Sequence, residues 1–295
     1  MIDDFFSAKK NIFTKKKLVV LLLADAWGVS LNDDNNAIRK AKIPAFKNLV
    51  ANYPTTVIEP PGFDDSKNYR IIGSSHHNLE SKVPAHLSLS KIISQHQMSQ
   101  LKIAPSSTFP LISVFLNGQE DRFLGEDWRI LPNKKDGFFD FLKGDGLDVS
   151  ELIKSIKSDK YNFITSSWPD ISQGFFKGDF SRTVSAVEKV AIALSKVAQA
   201  VLSVDGVLLF TSSYGGAEDV FNIQTNLANK KRTSNSVPFL IIGREYEGKT
   251  IGLKEAPNND ISLLSPQGSY LDIAPTILRL LNLEVPQEMQ GKSFV

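Results

Sequence analysis

Residues 18–28, LVVLLLADAWG, are the clearest indication of the fold in the sequence. Seven consecutive apolar residues, Leu18–Ala24, end abruptly at Asp25. A membrane-spanning helix needs roughly 20 apolar residues, so the run is far too short to span, and no small-residue cleavage site follows it. A short apolar run without polar alternation is typical of a central strand buried on both faces of a parallel sheet. Asp25 is therefore predicted at the carboxyl end of that strand, where sheets of this type bind ligands.

Further strands and helices alternate along the rest of the chain. Strands are predicted at TTVIEP (55–60), LISVFLNG (111–118), YNFITSS (161–167), GVLLFTSS (206–213) and VPFLIIG (237–243). Helices are predicted over 36–53 with an interruption near Pro44, over 150–158, over 182–203 with Asp179 or Ser181 as the cap, and over 269–283. Residues 80–106 are the least regular connection. The alternation predicts an α/β fold with a doubly wound, mostly parallel sheet and helices on both faces.

Composition narrows the class of protein. The 295 residues are 42% hydrophobic and 22% charged, with a net charge of +2 and no cysteine. We expect residues 1–16 to form a basic N-terminal extension and 17–295 a single domain. Near-neutral charge gives no case for nucleic acid or acidic membranes, and the missing cysteines fit a cytoplasmic protein.

Six segments resemble cofactor-independent phosphoglycerate mutases of the alkaline phosphatase superfamily, in the same order along the chain. They are LVVLLLADAWG (18–28), NNAIRKAKIPAFKNLVANYPTTVIEPPG (35–62), FLNGQEDRFLGEDWRILPNKK (115–135), DKYNFITSSWPD (159–170), VPFLIIG (237–243) and LDIAPTILRLLNLEVPQEMQGKSFV (271–295). The resemblance implies an alkaline phosphatase-like core. It also implies a site in which two divalent cations, Mn²⁺ or Mg²⁺, surround a nucleophilic serine.

Three positions of that implied site are retained. Asp25 matches the first-strand aspartate, Ser75 in GSSHHNL matches the nucleophile, and Asp170 matches the aspartate of an Asn-Pro-Asp motif. Asp25 and Asp170 could hold one hard cation with water completing its shell, or they could serve only as hydrogen-bond acceptors and turn caps.

Other positions of the implied site are substituted. Ser213 and Tyr214 stand for an aspartate and a histidine, Arg232 for a ligand histidine, and Thr108 for the catalytic lysine. A cation at position 232 would repel a divalent metal.

The histidines cannot restore the missing ligands by a shift of alignment. All four lie between residues 76 and 96. His76 and His77 could act as substitute ligands or as a base beside Ser75, or the segment could be a polar turn. Glu218 and Asp219 are expected to begin a helix, because negative charge is favoured at a helix N-terminus.

The short length of residues 80–106 affects which reaction the resemblance predicts. The resemblance implies an inserted domain between the nucleophile segment and FLNG, and here residues 80–106 take its place. Without a domain that excludes water, such a site is expected to hydrolyse a phosphoester rather than transfer the group.

Three hypotheses follow for the function. The first is a pseudoenzyme without cofactor or membrane insertion that binds another protein at the exposed crevice face. The second is a metal-dependent phosphoester hydrolase with a reduced Mn²⁺ or Mg²⁺ site. The third is a non-catalytic sensor of a small phosphorylated or anionic ligand near Lys231 and Arg232.

Overall fold

A computed structural model describes residues 17–62, 64–77, 84–118, 121–132, 149–225 and 227–295. The predicted extension 1–16 lies outside these ranges. The strands are β1 (Val19–Ala24), β2 (Thr55–Ile58), β3 (Gln100–Pro105), β4 (Glu126–Leu131), β5 (Phe163–Trp168), β6 (Val207–Thr211) and β7 (Val237–Ile242). They form one sheet in the order β2-β7-β6-β1-β5-β3-β4. β7 runs antiparallel to its neighbours β2 and β6, whereas the other pairings are parallel.

Helices cover both faces of the sheet. They are α1 (Ala37–Lys40), α2 (Pro44–Asn52), α3 (Asp65–Ser74), α4 (Leu89–Gln95), α5 (Ser150–Lys157), α6 (Asp170–Lys177), α7 (Phe180–Ser203) and α8 (Ile273–Leu280). Strand β1 shows why two layers are needed, because its alternate side chains enter different cores. Val20 and Leu22 pack with α2, α6 and α7 on one face, and Leu21 and Leu23 pack with α3, α4 and α8 on the other. The predicted doubly wound fold is confirmed.

The predicted strand at 111–118 is wrong. Residues Leu111–Phe115 form a short π-helical segment that begins after Pro110, a residue suited to the start of a helix. Phe109, Ile112 and Leu116 are buried at intervals of three and four residues, which is a helical spacing. A short apolar run such as LISVFL does not distinguish a strand from a buried helix by pattern alone.

Two real strands escaped prediction. β3 lies inside the segment 80–106, whose described part also contains α4. Its apolar pattern is masked by two buried polar side chains, Gln100 and Lys102. β4 is an edge strand in which partly buried and exposed positions alternate after the buried Glu126, and charged side chains at 126, 127 and 129 conceal it in the sequence.

No helix in the described part of the chain is long and apolar enough to cross a membrane.

Helix α7 provides a test of local structure. Of the two predicted caps, Asp179 is the residue that acts, since its side chain accepts a hydrogen bond of 2.9 Å from the Arg182 amide. We expect Asp179→Ala to lower the free energy of unfolding by about 1 kcal/mol, because the amide loses its partner at the helix start. Ser181→Ala is the control and should change it by a few tenths at most. Urea denaturation of both variants measures the difference, and equal losses would contradict the assignment.

Candidate functional site

Three parallel strands bring the predicted site residues to one edge of the sheet. Asp25 follows β1, Asp170 begins α6 just after β5, and Ser213 follows β6. β1 lies between β5 and β6, so the three carboxyl ends are neighbours. The backbone amide of Asp25 donates to the Trp168 carbonyl at 3.0 Å, which fixes the first two ends together.

The carboxylate of Asp25 is surrounded by hydroxyl groups. The Ser213 hydroxyl donates to Asp25 Oδ1 at 2.5 Å, and the Tyr69 hydroxyl lies 3.3 Å from the same oxygen. Tyr69 Oη also lies 2.9 Å from Ser167 Oγ. Hydroxyl donors stabilise a carboxylate without a metal, and they occupy the space beside the oxygen that a cation would approach.

Tyr69 is the site residue that the sequence did not reveal. It lies on α3, where its neighbour Asn68 donates to the Ser213 carbonyl at 2.8 Å. Both side chains are fully buried. No motif surrounds them, and a tyrosine in a helix is ordinarily a packing residue, so no sequence signal distinguishes this role.

Asp170 is the second carboxylate of the site. Burial raises its pKa well above the ordinary value, and the charge of Asp25 adds to that shift while a backbone hydrogen bond opposes it. Its Oδ2 atom is buried and has no hydrogen-bond partner. The two aspartates therefore interact electrostatically, and the Asp170 carboxyl is the group in this site that would gain from a proton or a cation.

Two positions that the resemblance assigns to histidine lie against each other. The guanidinium carbon of Arg232 is 4.6 Å from the centre of the Tyr214 ring and 5.5 Å from that of Phe176. Such cation–π packing holds the guanidinium over the rings. A permanent positive charge thus lies against one of the positions where a metal ligand was expected.

Ser75 makes its contacts elsewhere. It ends α3 with a left-handed backbone (φ 53°) and is fully buried. Its hydroxyl accepts a hydrogen bond of 2.9 Å from the Gly291 amide, and its carbonyl accepts one of 2.8 Å from the Gln290 amide. Ser75 is six residues beyond Tyr69 on α3, which corresponds to roughly 9 Å along a helix axis. The hydroxyl that α3 brings to Asp25 is that of Tyr69.

The two adjacent histidines follow Ser75 towards the C-terminal segment. The backbone amide of His77 donates to the Gln290 side chain at 2.8 Å, and the His77 side chain is exposed. Thr108 is buried, and its hydroxyl lies 3.5 Å from the Ser167 carbonyl.

Glu218 does not begin a helix, so that expectation is wrong; residues 217–219 form a turn. Its buried carboxylate accepts a hydrogen bond of 2.6 Å from the Gly216 amide and further bonds from Thr233 and Asn235. Burial raises its pKa. A side chain at Gly28 would place its Cβ 2.1 Å from this carboxylate. Glu218 therefore fixes the loop after β6 against the one after β1.

The residues present do not fit a two-cation centre. In the described part of the chain, no group of three or more histidine, cysteine, aspartate or glutamate side chains could hold a metal ion. The side chains at these positions are also buried, with Asp25 2%, Asp170 6%, Tyr214 2% and Tyr69 0% exposed. The arrangement stabilises the buried carboxylate of Asp25 through hydroxyl groups and packs the guanidinium of Arg232 on Tyr214.

Comparison with known proteins is consistent with this architecture. Residues 17–285 match the model of the metalloenzyme superfamily. A 2,3-bisphosphoglycerate-independent phosphoglycerate mutase of Chloroflexus aggregans is 34% identical over 212 residues, which are 70% of this chain and 37% of that protein. Phosphoglycerate mutase 2 of Methanosarcina barkeri is 27% identical over 273 residues, 91% of this chain and 46% of that protein. The chain thus spans less than half the length of these curated relatives.

Solved structures show the same fold. The phosphoglycerate mutase of Leishmania mexicana, determined at low cobalt concentration, aligns with a TM-score of 0.54 and 22% identity over 68% of this chain and 38% of that one. The alkaline phosphatase of the Antarctic bacterium TAB5 aligns with a TM-score of 0.56 and 11% identity over 92% and 99%. Since the family model spans most of the sequence and the fold agrees, the chain belongs to the metalloenzyme superfamily, with phosphoglycerate mutases among its relatives and an alkaline phosphatase among the structures that share its fold.

Proposed function

We propose that the chain is a catalytically inactive, phosphoglycerate mutase-like protein that serves as a protein-binding or scaffold module in the cytoplasm. The observation that carries the proposal is that other side chains of the protein already contact the residues expected to bind metal. Hydroxyl groups of Ser213 and Tyr69 bind the carboxylate of Asp25, and Arg232 packs on Tyr214. A phosphoester substrate needs an accessible nucleophile and preorganised positive charge at the reacting group. Ser75, Ser213 and Tyr69 are fully buried, so none of their hydroxyl groups is an accessible nucleophile.

The connection between α3 and β3 supports the same proposal. We propose that residues 80–106 replace the inserted domain of the mutases. A mutase must retain its dephosphorylated intermediate away from water, and a chain without that domain lacks the means to do so.

A metal-dependent hydrolase remains a second candidate because of one observation. The Oδ2 atom of Asp170 is buried without a hydrogen-bond partner, and Asp25 is close enough to influence its titration. A single hard cation would satisfy both carboxylates. Ser75 would then have to leave the Gly291 amide to act as nucleophile.

One experiment separates the two candidates. Purified protein is analysed for bound metal and incubated with an aryl phosphate in the presence of Mn²⁺ or Mg²⁺. Wild type, Ser75→Ala and Asp170→Asn are compared. We expect no stoichiometric metal and the same background rate for all three proteins. Turnover that disappears in Ser75→Ala or Asp170→Asn would overturn the proposed function and support the hydrolase.

A further inference from the structure

The segment between β6 and β7 leaves and re-enters the sheet at the edge that holds the candidate site. Its outer part is a small hairpin. The Asn222 amide donates to the Leu227 carbonyl at 2.9 Å, and the Asn229 amide donates to the Val220 carbonyl at 2.8 Å. Phe221 and Ala228 form the bridge between its arms.

This hairpin is anchored on the corner between α6 and α7. Gly178 ends α6 with a φ of 70°, and a Cβ added there would lie 2.2 Å from the Cβ of Ala228. The rings of Phe180 and Phe221 meet at 5.5 Å. Phe176 packs under Arg232, as described above. The end of α6 and residues 221–225 and 227–232 therefore form one surface, which we call the hairpin surface.

The hairpin surface combines apolar and cationic side chains. Three large apolar side chains are exposed, Phe176 by 37%, Ile223 by 54% and Leu227 by 69%. Three lysines, Lys177, Lys230 and Lys231, are exposed with them.

The acidic groups nearby have partners within the protein. Asp219 accepts hydrogen bonds from Asn35 and Asn229, the Glu218 carboxylate is buried, and Asp179 caps α7. Hydrogen bonds do not cancel these negative charges, but the three lysines and Arg232 supply four positive charges against those of Asp179, Asp219 and the buried Glu218. The hairpin surface therefore carries a small local excess of positive charge.

We propose that the hairpin surface binds an acidic segment of another protein that carries apolar side chains. The inference rests on the proposed function and names the partner class of that module. Charge complementarity calls for Asp and Glu residues opposite the lysines. Exposed Phe, Ile and Leu side chains call for apolar anchors, which form the energetic centre of a protein interface. Nucleic acid fits less well, because its phosphates would face three apolar side chains and gain nothing from them.

The test uses the full chain and a fluorescently labelled peptide of alternating Asp-Glu and Leu-Phe pairs. Binding is followed by fluorescence anisotropy, with a single-stranded oligonucleotide as a second probe. The charge variant is Lys230→Glu with Lys231→Glu, and its matched control is Lys249→Glu with Lys254→Glu in an exposed segment beyond β7. The apolar variant is Ile223→Ser with Leu227→Ser, matched by Leu124→Ser with Leu263→Ser, which are also exposed.

We expect the charge variant and the apolar variant each to weaken peptide binding by about tenfold or more, and each control by less than about twofold. No peptide binding, or equal losses in variants and controls, would overturn the proposed surface. Oligonucleotide binding that depends on the lysines but not on Ile223 and Leu227 would overturn the partner class. Metal content and turnover of the same preparation report separately on the proposed function, so the two proposals fail independently.

Discussion

Ser213→Asp should convert this protein into one whose stability depends on a divalent cation. Ser213 is fully buried, and its hydroxyl lies 2.5 Å from Asp25 Oδ1. A carboxylate at that position would face Asp25 directly and remove a hydrogen-bond donor from it. With Asp170 close by, three carboxyl groups would then share one buried volume. We expect the free energy of unfolding in EDTA to fall by roughly 3–5 kcal/mol, the cost of an uncompensated buried charge.

Added Mn²⁺ should recover much of that loss. A cation that binds the native state and not the unfolded state stabilises the native state by mass action. The matched control is Ser213→Asn, which has a similar volume without the charge and retains a donor for Asp25. It should lose less and should not respond to Mn²⁺. Thermal unfolding of wild type and both variants, with EDTA and with Mn²⁺, measures these differences.

Two outcomes would contradict this account of the site. If Ser213→Asp and Ser213→Asn are destabilised equally, the electrostatic interaction of the three carboxyl groups is not the cause. If wild type gains as much stability from Mn²⁺ as Ser213→Asp, the native protein already binds the cation. The second result would favour the hydrolase over the pseudoenzyme.

The convergence of Asp25, Asp170 and Ser213 was predictable because it depends only on strand ends. Each residue follows an apolar run, and parallel strands bring their carboxyl ends to one edge of a sheet. The contact between Arg232 and Tyr214 was not predictable in that way. It depends on how a long loop returns to the sheet, and loop geometry leaves no periodic pattern in the sequence.

Tyr69 and Ser75 show that the sequence also does not predict which residue near a helix contacts the site. Tyr69 lies on α3 and Ser75 caps its C-terminal end, and the resemblance points to Ser75 by position in the sequence. Which residue contacts Asp25 depends on where the helix starts and how it is rotated, and helix boundaries are the least certain part of a sequence-based assignment. The helix extends through Ser74, so Ser75 is carried to its far end, beside Gly291. An alignment of residue types does not contain this information.

Buried polar residues within strands are a third feature that the apolar pattern of a sequence does not predict. The clearest example is Lys102 on β3. Its side chain is 1% exposed. The ammonium group donates to Ser90 Oγ at 3.1 Å and to the side chain of Asn117, and it lies 3.7 Å from Glu126 Oε1. Glu126 also accepts hydrogen bonds from Asn117 and Trp128. This network joins β3, α4 and β4, none of which the apolar pattern revealed.

Lys102→Met is expected to lower the free energy of unfolding by about 2–3 kcal/mol at neutral pH, because it leaves the buried side-chain oxygens of Ser90 and Asn117 without the donor that Lys102 supplies. The double variant Lys102→Met with Glu126→Gln should recover much of the loss, since an amide at position 126 supplies a donor and carries no buried charge. Urea denaturation of wild type and the two variants provides the comparison. A double variant no more stable than the single one would show that packing, rather than the missing donor and the remaining buried charge, dominates.

The same lysine should give the wild type an unusual dependence on pH. Burial lowers the pKa of Lys102 to about 8 from 10.5, so between those values the unfolded chain binds more protons than the folded one. Stability must then rise with pH, by about 2 kcal/mol between about pH 7.5 and 9.5. This range lies below the titration of tyrosine, whose pKa is about 10. Lys102→Met lacks the titrating group and should show no such rise, so the difference between the two proteins should grow as the pH increases. Parallel curves for wild type and Lys102→Met over this range would show that Lys102 is not buried with a depressed pKa.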